Sequence, residues 1–133
     1  MLRFSAALRV TGSDLDPEIV SNMLGLRADQ GHRRGDPNIG KSGRIYSHFA
    51  EGLWLKKSAV SRSRPLEDHL DDLASKLIDR QGVFEELEKR GWQADIFIGV
   101  LGIGGNSVFR ISPQTQKRLA VLGLELTFDV YSS

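Results

Sequence analysis

Apolar and polar residues alternate along three segments of the chain, and this alternation predicts β-strands. Every even-numbered residue is apolar in 2–10, 92–100 and 124–130, whereas most odd-numbered residues there are polar or small. Successive side chains of a strand point to opposite faces, so each segment has one face suited to a core. We therefore expect Trp92, Leu126 and Phe128 to be core residues.

Weaker patterns predict further strands. One is expected near 44–49 and another around 53–55, which contains Trp54 as a further core residue. The glycine-rich run 102–107 predicts a tight turn, because glycine tolerates the positive φ that such turns require. We expect it to form a hairpin that leads into a strand over 108–111.

Helices are predicted between these strands by their end signals. Asp16 and Ser112 are typical N-cap residues, and each is followed by a proline, which favours the first helical turn. Gly25 and Gly123 end these two helices. The longest helix is expected to start after Pro65, where leucines recur at three- and four-residue steps; Gly82 breaks it, and a second piece runs to Gly91.

The order of elements predicts the fold class. Alternating strands favour a mostly antiparallel or mixed sheet over a doubly wound parallel one. We expect a single α+β domain over 1–133, a sandwich with the helices on one face of the sheet in a ferredoxin-like arrangement. A glycine-rich basic loop at about 29–52 is the best candidate for a mobile segment.

Composition narrows the possible chemistry. The 133 residues contain no cysteine, which excludes disulfides, cysteine-bound zinc and thiol catalysis. The three histidines are spread over different predicted elements, and we expect no metal site and no cofactor; His69, among acids, is expected on the surface. No apolar run approaches the length of a membrane helix. We expect a cytoplasmic protein that makes no membrane contact.

Charge is distributed unevenly, although the formal net charge is only +1. Residues 27–64 contain nine bases and three acids, whereas residues 65–95 contain nine acids and four bases. The two stretches either neutralise each other in the fold, which we favour, or form patches for charged partners. The candidate binding residues are Arg33, Arg34, Lys41, Arg44, Lys56, Lys57, Glu67, Asp68, Asp71 and Asp72.

One short motif suggests nucleotide binding. Residues 35–42 match the phosphate-binding pattern G-x-x-x-x-G-K-[ST], in which Lys41 would reach the outer phosphates and Ser42 a magnesium ion. That chemistry needs a buried strand before the motif and a helix after it. Here the preceding residues are polar and Gly43 follows directly, so the pattern alone is a weak indication.

Several local signatures together resemble a known family. They include Asp14-Leu15-Asp16-Pro17-Glu18, Arg34-Gly35-Asp36-Pro37, the lone Trp54, and the end of the chain from Ile111-Ser112-Pro113 to Phe128-Asp129-Val130-Tyr131. The chain resembles, over nearly its whole length, the bacterial "domain of unknown function four-two-seven-nine" (DUF4279) family. The resemblance implies no established activity; small bacterial proteins of this sort are associated with toxin-neutralising or inhibitory roles.

Three functional hypotheses follow. The first is a non-catalytic module that binds another protein, as an immunity or inhibitor protein neutralising a toxin or nuclease. A basic partner would meet the acidic helix, and an acidic partner would meet the basic loop. The alternative is nucleic-acid binding through the basic segment 33–64. The third is phosphate binding at 35–42.

Overall fold

A computed structural model describes residues 1–132 of the chain. It contains seven strands and four helices within those residues. In chain order they are β1 (Leu2–Gly12), α1 (Pro17–Leu24), β2 (Gln30–His32), β3 (Pro37–Ile39), β4 (Ile45–His48), β5 (Gly52–Lys57), α2 (Leu66–Leu77), α3 (Val83–Lys89), β6 (Gln93–Gly102), α4 (Pro113–Leu122) and β7 (Glu125–Ser132).

Five strands form the main sheet in the order β2-β5-β1-β6-β7. β1 pairs antiparallel with both β5 and β6, and β2 pairs antiparallel with β5. β6 and β7 are parallel and are connected through α4. β3 and β4 form a separate antiparallel hairpin. The predicted α+β fold with a mixed sheet is thus confirmed.

The core lies on one face of the main sheet. Even-numbered residues of β1 and β6 point into it, and all four helices contribute buried side chains to the same cluster. Trp54 is fully buried and Trp92 nearly so, as the pattern predicted. Each indole N–H has a partner: Trp54 Nε1 donates to Ser21 Oγ at 2.9 Å, and Trp92 Nε1 donates to Asp14 Oδ1 at 2.8 Å.

The predicted helix ends are confirmed. The Asp16 side chain accepts a hydrogen bond from the Glu18 amide at 3.0 Å, and Ser112 Oγ accepts from the Thr115 amide at 3.3 Å. Gly25 and Gly123 adopt left-handed φ values of 67° and 70°. A side chain would be strained in this conformation, so glycine at these two positions is what allows α1 and α4 to end there.

The prediction for Phe128 is wrong. Its side chain is 43% exposed, although its neighbour in the register, Ile98 of β6, is completely buried. β7 is the outermost strand of the sheet, so Phe128 has neighbours on one side only. Leu126, on the same strand, is partly buried and packs against the core.

The predicted strand at 108–111 is also absent from the structure. The chain leaves β6 at Gly102 and runs to α4 without a regular element. The position beside β6 is occupied instead by β7, which arrives through α4 and pairs in parallel. Val108 is left 81% exposed, and the ring of Phe109 packs edge-on against Phe4 at 5.2 Å.

The sheet face opposite the helices carries a cluster of partly buried polar side chains. Arg9 pairs with Asp95 at 2.6 Å, and Thr127 Oγ1 donates to the same carboxylate at 2.7 Å. Burial raises the pKa of Asp95, but the hydrogen bonds from Arg9 and Thr127 and the Arg9 charge outweigh it and hold that pKa below its usual value. The Arg9 guanidinium also lies 4.3 Å from the Phe97 ring centroid.

No helix within residues 1–132 combines the length and the apolar character needed to span a bilayer.

Candidate functional site

The β3–β4 hairpin is built around a glycine-containing turn. The Gly40 amide donates to the Arg44 carbonyl at 2.8 Å, and the Gly43 amide donates to the Gly40 carbonyl at 2.9 Å. Gly43 has a φ of 82°, which favours glycine. The Tyr46 ring lies directly against Gly40, where a Cβ atom would collide with it. Lys41 and Ser42 thus occupy the tip of the turn.

The base of the hairpin is tied to the edge of the main sheet. The His32 ring of β2 stacks on the Phe49 ring with centroids 3.4 Å apart and planes 7° apart. The Gly35 amide donates to the Phe49 carbonyl at 2.8 Å, and the Phe49 amide donates to the Asp36 carbonyl at 3.0 Å. These contacts fix where the hairpin starts and leave its two strands outside the main sheet.

The hairpin exposes apolar and basic side chains together. Ile39, Ile45 and Tyr46 are each more than half exposed, and the Arg44 guanidinium lies 5.3 Å from the Tyr46 ring centroid. Within residues 1–132, no carboxylate lies within ion-pair distance of Arg34, Lys41 or Arg44. We define the hairpin surface as Arg34, Ile39, Lys41, Arg44, Ile45 and Tyr46.

The other predicted basic residues lie elsewhere and have different contacts. Arg33 pairs with the α1 cap residue Asp16 at 3.0 Å, and Lys56 lies 3.7 Å from Asp29. Asp29 also accepts from the Lys57 amide at 2.7 Å, whereas the Lys57 side chain is exposed. Arg33 and Lys56 therefore each have a carboxylate partner within the chain, which distinguishes them from the bases of the hairpin surface.

Two of the predicted acidic residues connect α2 to α4. Glu67 accepts a hydrogen bond from the Ser112 amide, and hydrogen bonds from the Ser112 side chain and backbone lower the pKa of Glu67. Asp71 accepts from Thr115 Oγ1 at 3.0 Å and pairs with Arg118 at 2.9 Å. Both carboxylates thus stabilise the start and the exposed side of α4.

The other two acids bind the segment that precedes α2. Asp68 pairs with Arg64 at 2.8 Å. Asp72 accepts from the Ala59 amide and from Lys76 Nζ, both at 2.9 Å. Burial raises the pKa of Asp72, but these two hydrogen bonds and the Lys76 charge outweigh it, so the pKa is lowered. The acidic side of α2 is therefore engaged inside the fold.

Mutual neutralisation of the two charged stretches, the outcome we favoured, is not what the structure shows. Among residues 1–132, Arg64 and Asp68 form the one ion pair between the basic stretch 27–64 and the acidic stretch 65–95. Two other bases of the first stretch, Arg33 and Lys56, pair with carboxylates outside the acidic stretch, those of Asp16 and Asp29. Hairpin charge therefore remains available to a partner.

The expectation that His69 lies on the surface is wrong: its side chain is 1% exposed. Its Nδ1 lies 2.6 Å from Ser58 Oγ, and its Nε2 has no hydrogen-bond partner within residues 1–132. Burial lowers the pKa of His69, against the opposing effects of the Ser61 backbone, Asp68 and Asp72. The helical spacing could have revealed this position, because 69 lies three residues after the buried Leu66.

Ser58 and His69 form the kind of contact that a nucleophile and its base make, but the third member of such a set is missing from residues 1–132. In a catalytic triad, a carboxylate orients the imidazole through its second nitrogen. Here that nitrogen is buried without a partner. The contact joins Ser58, directly after β5, to α2.

The phosphate-binding pattern at 35–42 lies in the hairpin. Its glycine, lysine and serine at 40–42 are followed by β4, and no helix begins there. The backbone geometry that gives this motif its chemistry is thus not present in the segment. Across residues 1–132, no three His, Asp or Glu side chains gather in a group suited to a metal ion.

Comparison with known proteins gives one match. The family model described as "Domain of unknown function (DUF4279)" covers residues 2–133. Neither the curated proteins nor the solved structures contain a match to this chain. Because the family model spans essentially the whole sequence, the chain belongs to the DUF4279 family, as its sequence signatures indicated.

Proposed function

We propose that the protein is a non-catalytic binding module whose hairpin surface contacts an acidic patch on another protein. The observation that carries this proposal is that three bases without a carboxylate partner in residues 1–132 lie beside three exposed apolar side chains on one small hairpin. Exposed apolar groups rimmed by charge are typical of interaction sites. Tyrosine and arginine are also enriched among the residues that contribute most to interfaces.

Charge supports a partner of opposite sign. Residues 33–48 contain four bases and one acid, and that acid, Asp36, accepts the Arg33 amide at 2.8 Å. A positive patch speeds association with a negative one and disfavours partners of like charge. An immunity or inhibitor role fits this design, since such a protein acts by covering a surface of a toxin or enzyme.

The acidic helix is the less suitable contact surface. Each of Glu67, Asp68, Asp71 and Asp72 already accepts a hydrogen bond or ion pair from within the chain. A partner would have to compete for carboxylates that hold α4 and the segment before α2 in place. We therefore assign binding to the hairpin surface, and expect the partner to be acidic.

Nucleic acid is the alternative partner, and two features favour protein over it. Ile39 and Ile45 offer apolar contact that phosphates do not use. Sheets that bind RNA stack bases on exposed aromatic rings. Here Phe97 on the open sheet face is partly buried and covered by Arg9, whose charge is paired with Asp95.

The test is a capture experiment with nuclease-treated lysate of the source cell. The immobilised baits are the native chain, a variant with Arg34→Glu, Lys41→Glu and Arg44→Glu, and a control with Lys89→Glu, Arg110→Glu and Lys117→Glu. All six positions are exposed, so both triple variants should melt close to the native chain. We expect the native chain and the control to retain one acidic protein, and the hairpin variant to lose it.

A direct probe separates the alternative. Binding of mixed-sequence single-stranded RNA and duplex DNA is measured by fluorescence anisotropy over a salt series. Affinity for either that falls steeply with salt, and that the hairpin variant abolishes, would show nucleic acid as the partner and overturn the proposal. A protein captured equally by all three baits, or a basic protein held through another surface, would overturn it as well.

A ferredoxin-like arrangement extended by α4 and β7 is our proposal for the fold. The strand directions support it. β1 and β2 are joined by α1 and run parallel, with β5 between them. β5 and β6 are joined by α2 and α3 and run parallel, with β1 between them. Two interleaved units of this kind make up that arrangement. Cross-strand nuclear Overhauser effects that place β1 beside a strand other than β5 or β6 would contradict it.

A further inference from the structure

The two edges of the main sheet differ in how they are protected. β2, at one edge, is only three residues long. Very short edge strands offer little template for pairing with another chain. β7, at the other edge, is eight residues long and pairs with β6 without a register shift. Only β7 therefore presents a long row of backbone groups on its outer side.

β7 contains two acids, Glu125 and Asp129, but none of the proline, lysine or glycine residues that usually interrupt edge-to-edge pairing. Its sequence, Glu-Leu-Thr-Phe-Asp-Val-Tyr-Ser, contains no proline, lysine, arginine or glycine. Phe128, Val130 and Tyr131 are 43%, 69% and 53% exposed. An exposed, regular and partly apolar edge strand is a site for addition of another strand.

We propose that β7 pairs antiparallel with β7 of a second copy of this chain, centred on Phe128, and so joins two sheets into one. Paired residues in such a two-fold arrangement lie on the same face of the joined sheet. Phe128 then lies opposite its own equivalent, and Leu126 lies opposite Val130 of the second copy. On the other face, Thr127 meets Asp129 and Glu125 meets Tyr131.

Charge selects this register over its neighbours. Moving the centre to Asp129 would place two aspartates directly opposite each other. Moving it to Thr127 would place Glu125 opposite Asp129. Like charges in direct cross-strand pairs are destabilising. The register centred on Phe128 pairs the seven residues from Glu125 to Tyr131 with no like charges opposite, and it matches apolar residues with apolar residues.

The dimer is expected to be weak. One strand pair covers less area than the standard interface of about 1,600 Å². A few apolar contacts and the new backbone hydrogen bonds favour association, whereas the loss of translational, rotational and side-chain entropy opposes it. The dimer should therefore dissociate on dilution, and the measurement needs a concentration series.

The first experiment is sedimentation equilibrium of the native chain, of Val130→Lys and of the control Val108→Lys. Val130 and Val108 are both largely exposed, so neither lysine should unfold the chain. We expect the native chain and Val108→Lys to dimerise as concentration rises, and Val130→Lys to stay monomeric. A native chain that is monomeric throughout overturns the proposal, as does a dimer that Val130→Lys leaves intact.

Cysteine variants test the register, because the chain has no cysteine of its own. Directly opposite Cα atoms are about 4.5–5.5 Å apart, within the range that a disulfide spans. We expect oxidised Phe128→Cys to form a covalent dimer. In the same register, the two Val130→Cys thiols would be separated by about 13 Å along the strands, and should not react. Cross-linking of Val130→Cys without Phe128→Cys would overturn the proposed pairing.

Discussion

Replacing Phe128 and Ile98 separately by alanine compares an edge strand with its inner neighbour. The two residues lie opposite each other in the β6–β7 register, and each belongs to a segment in which every even-numbered residue is apolar. Ile98 is 0% exposed, whereas Phe128 is 43% exposed. The sequence pattern predicts a core position for both residues, but only Ile98 is buried in the structure.

The expected losses of unfolding free energy follow from burial. Ile98→Ala removes completely buried atoms and leaves a cavity, which costs about 2–5 kcal/mol. Complete burial of a phenylalanine side chain is worth about 1.5–3 kcal/mol. Phe128 keeps little more than half of that contact and its loss encloses no cavity, so Phe128→Ala should cost about 1–1.5 kcal/mol.

Urea unfolding followed by tryptophan fluorescence measures both variants. Trp54 and Trp92 are buried, so their emission reports loss of the core. The protein should be dilute enough to be monomeric, which removes any contribution from β7 pairing. An unchanged m value shows that the same transition is being compared. If Phe128→Ala destabilises the chain as much as Ile98→Ala does, the edge position of β7 is wrong.

Two further predictions concern buried positions. The folded chain lowers the pKa of His69, chiefly through burial, so the unfolded chain binds that proton more readily. This contribution to stability is complete above about pH 6.5 and is lost as the pH falls towards the lowered pKa of the folded chain, so the native melting temperature should drop as the pH falls below about 6.5. His69→Gln should lose most of that drop in melting temperature, whereas the exposed control His48→Gln should keep it. If the melting temperature changes equally with pH in all three proteins, His69 is not the cause. Gly12→Ala places a Cβ atom against the Trp92 indole, which Asp14 holds in position, and should cost about 1–3 kcal/mol in urea unfolding. The control Gly82→Ala meets no neighbouring atom and should be nearly neutral; a neutral Gly12→Ala would contradict the packing there.

Local chemistry explains what the sequence predicts well. The caps at Asp16 and Ser112 and the glycines that follow α1 and α4 need only a few neighbouring residues, and all are found as expected. The predicted division into α2 and α3 is also found, although α2 ends at Leu77, five residues before Gly82. The caps depend on a side chain that bonds to the nearby backbone, and the two glycines on their freedom to adopt a positive φ.

Features that depend on distant neighbours were not predictable in the same way. Alternation in β7 is the same whether the strand is central or at an edge, so it gave no sign that Phe128 is exposed. The acids of α2 look like a solvated face in sequence. Glu67 and Asp71 nevertheless contact α4, more than forty residues away.

For the candidate site, the sequence indicated the charge but not the geometry. It identified the basic glycine-rich segment, yet treated Arg33 and Lys56 in the same way as Arg34 and Lys41. Their difference arises from Asp16 and Asp29, which the fold brings beside two of the four. The apolar part of the hairpin surface was missed, because the residues of β4 alone do not show that this strand lies outside the main sheet, with both of its sides exposed.

The central claim is that the hairpin surface is where the partner binds. A photo-reactive benzoylphenylalanine placed at Tyr46 tests it directly, with the same residue at Ile78, directly after α2, as the matched control, since both side chains are 62% exposed. After irradiation with the captured partner, we expect a covalent adduct from position 46 and none from position 78. An adduct from position 78 without one from position 46 would contradict the claim.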